Sequence, residues 1–148
     1  MKRCNLIKRF FIGLLLIVVA SISANAQEGL YIKSIFQRFG HAKGCKMVTM
    51  QNAQLKGCRL KIYKSLVYKN HATEIAHYLK SDRKAAKKIR EVVENGKMVS
   101  GYYMMAPLSN GDNRFILFSN PSKSKGTVIY IEGDLSPEDI MKLCYSRR

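Results

Sequence analysis

Residues 71–95 read HATEIAHYLKSDRKAAKKIREVVEN, and this stretch sets the helical part of the fold. Ile75, Tyr78, Leu79, Ala85, Ala86, Ile89, Val92 and Val93 recur at helical spacing and form one apolar face. Lys80, Arg83, Lys84, Lys87, Lys88 and Arg90 fall largely on the other. The pattern predicts helix from about His71 to Asn95, with Asn70 capping its start and Asn95-Gly96 supplying a left-handed stop. Ser81 and Asp82 also favour caps, so the segment reads either as one long helix or as two shorter ones.

Working back towards the N-terminus, Lys46 to Gln51 and Arg59 to Lys69 are rich in β-branched and aromatic residues and predict two strands. Their connection, 52–58, contains Gly57. A simple hairpin about that connection makes facing residue numbers sum to about 109, which sets Cys45 near Lys64 and Cys58 near Gln51. The two cysteines then lie roughly 20 Å apart, beyond disulfide reach. Before this hairpin, Leu30, Ile32, Ile35, Phe36 and Phe39 predict a short amphipathic helix over 29–39, stopped by Gly40.

Beyond Gly96 the texture is that of strands. Met98 to Met105, Arg114 to Ser119 and Thr127 to Glu132 are apolar, β-branched and aromatic runs separated by turn-rich segments, which predicts a three-stranded meander. Ser136-Pro137-Glu138-Asp139 is a helix start, with Ser136 as cap and two acids at the positive helix end, and a last helix runs to about Tyr145. The expected order is αββαβββα: an α+β domain with an antiparallel sheet of about five strands and helices packed on one face.

The first 26 residues read as an export signal. Lys2, Arg3, Lys8 and Arg9 precede an apolar core from Phe10 to Ile22, and Ala24-Asn25-Ala26 forms a small-x-small cleavage site. About 13 apolar residues fall short of the ~20 needed to span a bilayer. The expectation is a cleaved signal peptide at 1–26, a single domain at 27–148, no transmembrane segment in the mature chain, and release to the periplasm or the cell exterior. Cys4 precedes the apolar core, unlike a lipoprotein cysteine, which follows the cut.

The chain has 26 Lys and Arg against 10 Asp and Glu; four of the cations lie in the signal, so the mature part carries +12. Such an excess outside the cytoplasm points to anionic partners: an acidic glycan, lipopolysaccharide or an acidic protein. Export takes nucleic acid out of its usual cellular setting. Lys80, Arg83, Lys84, Lys87, Lys88 and Arg90 are the expected ligand-binding residues, because like charges one helical turn apart repel unless an anion offsets them. The competing account is a solvated helix face neutralised by Lys87–Glu91 and Arg90–Glu94 contacts. Tyr102 and Tyr103 alternate across a strand, so only one needs burial.

Catalytic and metal chemistry find little footing. No H-E-x-x-H, C-x-x-C, G-x-S-x-G or glycine-rich phosphate loop occurs. Glu74 and His77 share a helical face, but carboxylate-bridged metal sites need a second such pair. Cys45, Cys58 and Cys144 leave at least one thiol unpaired in the monomer, and Cys45 or Cys58 beside a histidine is the one route to nucleophilic catalysis. No catalytic residue, metal ligand or cofactor is assigned.

Tyr63 to Val67, Ser81 to Val92, Ser100 to Tyr103, Asn113 to Phe118 and Ile129 to Gly133 together resemble a family of small exported Bacteroidota proteins known only as a domain of unknown function. The resemblance implies export from a Gram-negative cell and one α+β domain, and carries over no site residues. The resulting expectation is a non-catalytic envelope protein that binds an anionic macromolecule or acidic protein through its basic helix face. The alternatives are a small cysteine-dependent hydrolase or redox enzyme, and a subunit that recruits its partner by strand addition at a sheet edge.

Overall fold

Two-residue turns organise the sheet. A computed structural model describes residues 29–122 and 124–145; the expected signal peptide lies outside these residues. Lys56-Gly57 and Asn95-Gly96 both take left-handed conformations at two consecutive positions, with φ of 49° and 80° in the first pair and 51° and 75° in the second. That geometry matches the twist of antiparallel strands and closes a hairpin with no further residues. The first turn joins β1 (Lys46–Leu55) to β2 (Cys58–Lys69), and the second joins β3 (Lys87–Glu94) to β4 (Lys97–Met105).

β5 (Asn113–Ser119) and β6 (Lys125–Gly133) complete a six-stranded sheet in the order β1-β2-β6-β5-β4-β3, antiparallel throughout. The predicted meander is present as β4-β5-β6, and β6 returns to pair with β2. Among the described residues, three helices accompany the sheet: α1 (Ile32–Phe39), α2 (Ala72–Lys84) and α3 (Pro137–Tyr145). The described fold is α+β, with one strand more than the five expected.

The extra strand comes from the stretch read as continuous helix. α2 stops at Lys84, and residues 87–94 cross the sheet edge as β3. Ile89, Val92 and Val93 fit a pleated strand better than a helix, and Asn95-Gly96, expected to be a helix stop, is a hairpin turn. Nor do Ser81 and Asp82 split α2, which runs unbroken through both. Asn70 does not cap it: the cap position is His71, and Asn70 instead has φ of 68° and donates its N–H to Ser124 O at 2.7 Å.

The first hairpin forms in a different register from the one expected. Facing residues pair as Lys46↔Val67 and Leu55↔Cys58, because the strands run up to the tight Lys56-Gly57 turn and leave no loop over 52–58. Cys58 therefore faces Leu55, at the opposite end of the hairpin from Cys45. Cys45, Cys58 and Cys144 are free thiols.

Both faces of the sheet carry core. On one, Ile32, Ile35, Phe36 and Phe39 of α1 and Ile75 and Leu79 of α2 pack on Leu66, Tyr68, Tyr103, Ile116, Phe118, Val128 and Tyr130. On the other, Ile140 and Leu143 of α3, with Leu135, cover Leu60, Phe115, Leu117 and Ile131. The expectation of helices on one face holds for α1 and α2 but not for α3. β5 is apolar on both faces for this reason, and five consecutive residues from Arg114 to Phe118 are buried. Ser136 caps α3 as predicted: the Asp139 N–H donates to Ser136 Oγ at 3.2 Å, and the Ser136 N–H donates to Asp139 Oδ2 at 2.9 Å.

Candidate functional site

The six basic residues singled out in the sequence do not form one helix face. Lys80, Arg83 and Lys84 sit on the last turns of α2, while Lys87, Lys88 and Arg90 lie on the edge strand β3. The helical contacts expected to neutralise them are replaced by a cluster around Glu91. Arg83 Nη2 lies 3.8 Å from Glu91 Oε1, Lys88 Nζ lies 3.6 Å from Glu91 Oε2, and the Tyr103 hydroxyl donates to Glu91 Oε1 at 2.6 Å.

Tyr103 is the buried member of the tyrosine pair, and Tyr102 stays half-buried on the other face. The Tyr103 hydroxyl and the two cations hold the Glu91 carboxyl below its ordinary value, while burial and Glu91 push the Tyr103 phenol up. The Arg83 guanidinium stacks 5.5 Å from the Tyr103 ring centroid and 5.6 Å from that of Phe118. Gly101 makes the arrangement fit, since a Cβ there would lie 2.6 Å from the Tyr103 hydroxyl and 2.8 Å from the Phe118 ring. Arg83 and Lys88 are thus engaged within the fold.

A second polar group is buried where α1, α2 and the sheet meet. Asp82 accepts the N–H groups of Tyr31 and Ile32 at 3.0 and 2.8 Å, which satisfies the first turn of α1. Burial pushes its carboxyl up, against the opposing pull of those two N–H donors and of Arg114. Arg114 is itself buried and donates Nε–H to Ala106 O at 2.9 Å, and Tyr130 donates to Glu132 Oε2 at 2.9 Å. These partners account for the buried groups as structural ties. The lone Arg114 inside the apolar run of β5 was the sequence signal that could have marked them.

The histidines and cysteines are held by ordinary contacts. His71 packs against Phe39 at 5.0 Å between ring centroids and lies 3.8 Å from Glu74, and His77 lies edge-on to Tyr78. Cys58 Sγ faces Lys56 O at 4.0 Å, and Cys45 packs against the α1–α2 core. Among the described residues, no group of three His, Cys, Asp or Glu side chains is placed to hold a metal ion. No helix among them is long and apolar enough to cross a membrane.

The most uneven distribution of charge lies elsewhere. Residues 29–73 contain nine Lys and Arg and no Asp or Glu, whereas residues 74–148 contain thirteen and nine. The acid-free third folds into α1, β1 and β2, on the side of the sheet opposite β3. Between α1 and this hairpin runs a groove of about 280 Å³ lined by Lys33, Phe36, Gln37, His41, Met47, Thr49 and Lys64. Lys64 Nζ lies 6.0 Å from the centroid of the Phe36 ring, and among the described residues no carboxylate pairs with Lys33, Lys46 or Lys64. Lys61, by contrast, is paired with Asp112. Counting acids per segment, rather than looking for cations on a helix, would have found this surface in the sequence.

The family model for DUF6108, a family of unknown function, matches residues 19–144. The chain belongs to the DUF6108 family. No curated protein and no solved structure matched it. The match covers α1 to α3, apart from the final residue of α3, so the sheet, the Glu91 cluster and the basic groove of this DUF6108 chain all fall within the family's domain.

Proposed function

We propose that this DUF6108 chain is a non-catalytic binding module, exported to the periplasm or cell exterior, that holds an anionic macromolecule or acidic protein through its basic surface. The observation that carries the reading is the segregation of charge: nine cations without one acid in residues 29–73. A chain that used charge only to stay soluble would gain nothing from keeping its acids out of one third of its length. Concentrated like charge raises the local potential and attracts anions over several ångströms, at a cost in self-repulsion that a bound anion relieves. The export signal read at residues 1–26 supports a partner outside the cytoplasm.

Lys80, Lys84 and Lys87 remain exposed and supply a second, weaker patch. Arg83 and Lys88 contribute less to it, because they share the Glu91 carboxylate, which offsets one of their two charges. The test is the salt dependence of binding to heparin and to polyglutamate. Binding that weakens steeply between about 50 and 300 mM salt, as screening shortens the reach of exposed charges, supports the reading. Retention on neither polyanion at 50 mM salt contradicts it.

A further inference from the structure

The two edges of the sheet differ in charge and in how their register holds. Five of the eight residues of β3 are charged, and its pairing with β4 shifts register at Ile89 and again between Val92 and Val93. Both features keep another strand from pairing there. β1, at the other edge, is ten residues long, has β2 as its one strand neighbour among the described residues, and carries no charge from Met47 to Leu55; its register with β2 is the same on both sides of Asn52, where φ is 51°. Most of it is exposed. A long, uncharged edge is the kind that natural sheets normally blunt.

We propose that β1 is a docking edge onto which an extended acidic peptide segment adds as a seventh strand. The proposal rests on the anion-binding reading above and names the partner's chemistry. A strand added to β1 lies about 4.8 Å farther out and directs alternate side chains to opposite faces. On the α1 face those side chains meet the groove lined by Lys33, Gln37, His41, Thr49 and Lys64. On the other face they meet Val48 and Met50, which are 42% and 36% exposed, beside Val67 at 50%. The edge therefore selects a segment with acidic residues on one face and apolar residues on the other. Charge argues against a second copy of this chain as the occupant, since it would bring two acid-free basic hairpins together.

The test uses a fluorescent decapeptide of alternating glutamate and valine, and the same peptide with N-methyl groups on the backbone nitrogens of alternate residues. The unmodified peptide should bind, and the better blocked of the two N-methylated phases should bind roughly tenfold more weakly or worse, because main-chain hydrogen bonds are lost without any change of charge. The Lys33→Gln/Lys64→Gln pair should weaken the unmodified peptide roughly fivefold at low salt. Amides of β1 should exchange more slowly when the peptide is bound. Equal binding by all peptides with unprotected β1 amides overturns strand addition while leaving anion binding intact, and stronger binding of heparin than of the peptide at the same lysines points to a glycan instead. Failure of every polyanion removes both readings. Slow β1 exchange that depends on protein concentration without peptide overturns the proposal in favour of self-pairing.

Discussion

The Asp82 carboxylate accepts the amide hydrogen of Ile32 at 2.8 Å, across fifty residues of sequence. It joins the end of one helix to the beginning of another. With the second bond from Tyr31, it fills the role of an N-cap for α1, whose own cap position makes no side-chain bond. The placement also explains why a residue with turn-forming chemistry stays inside α2. Its oxygens are committed to α1 and do not compete for its own backbone.

Asp82→Ala should therefore destabilise the fold by about 2 kcal/mol, since the buried Ile32 N–H and the partly buried Tyr31 N–H lose their acceptor. Asp82→Asn should cost less, because one oxygen remains. Urea unfolding of the two variants checks the order. An alanine variant as stable as wild type would show that α1 does not depend on this bond.

The end of α2 is tested by two isoleucines that a continuous helix would treat alike. Ile75 is fully buried against α1 and the sheet, so Ile75→Ala should cost about 3 kcal/mol. Ile89 is half-buried at the irregularity in β3, and Ile89→Ala should cost less than half as much. Equal losses in denaturant midpoint would favour helix through residue 89.

These two residues also show what the sequence made legible. Ile75, Tyr78 and Leu79 sit on a periodicity that only a helix explains, and α2 follows it. Ile89, Val92 and Val93 match helical spacing by coincidence of a short run, and tertiary pairing with β4 decides in favour of strand. The Asn95-Gly96 dipeptide fits both a helix stop and a hairpin turn, so local chemistry alone could not separate them. The strands of 98–132 were legible because their apolar runs are bounded by unambiguous turn residues. Of the site, the excess of cations was visible. Its location was not, because the six cations that sequence spacing had made most prominent are divided between α2 and β3, and two of them, Arg83 and Lys88, share the Glu91 carboxylate.

Gly101→Ala should destabilise the protein by about 1–3 kcal/mol, because the new methyl group meets the Tyr103 ring and hydroxyl and the Phe118 ring, all of them packed. The near-ultraviolet signal of the tyrosines should change with it. An unaffected melting temperature would mean that Tyr103 does not lie across Gly101.

The Glu91 cluster gives a pH dependence of definite sign. Its folded pKa lies below the ordinary 4.5, so the native state binds fewer protons than the unfolded chain as pH falls below that value. The stabilisation is present above pH 4.5 and is lost as pH falls through the folded pKa. Glu91→Gln should lower the melting temperature relative to wild type at pH 7 and leave a much smaller difference near pH 3. A difference that is constant across this range would show that the carboxylate is not held by Tyr103, Arg83 and Lys88.

The most direct test of the account compares two triple variants on heparin. Lys33→Gln/Lys46→Gln/Lys64→Gln and Lys80→Gln/Lys84→Gln/Lys87→Gln remove the same charge, from the acid-free third and from the α2–β3 edge respectively. The first should elute at clearly lower salt than the second, with both still folded by circular dichroism. Equal elution, or a larger loss in the second, would contradict the assignment of the anion-binding surface to α1, β1 and β2.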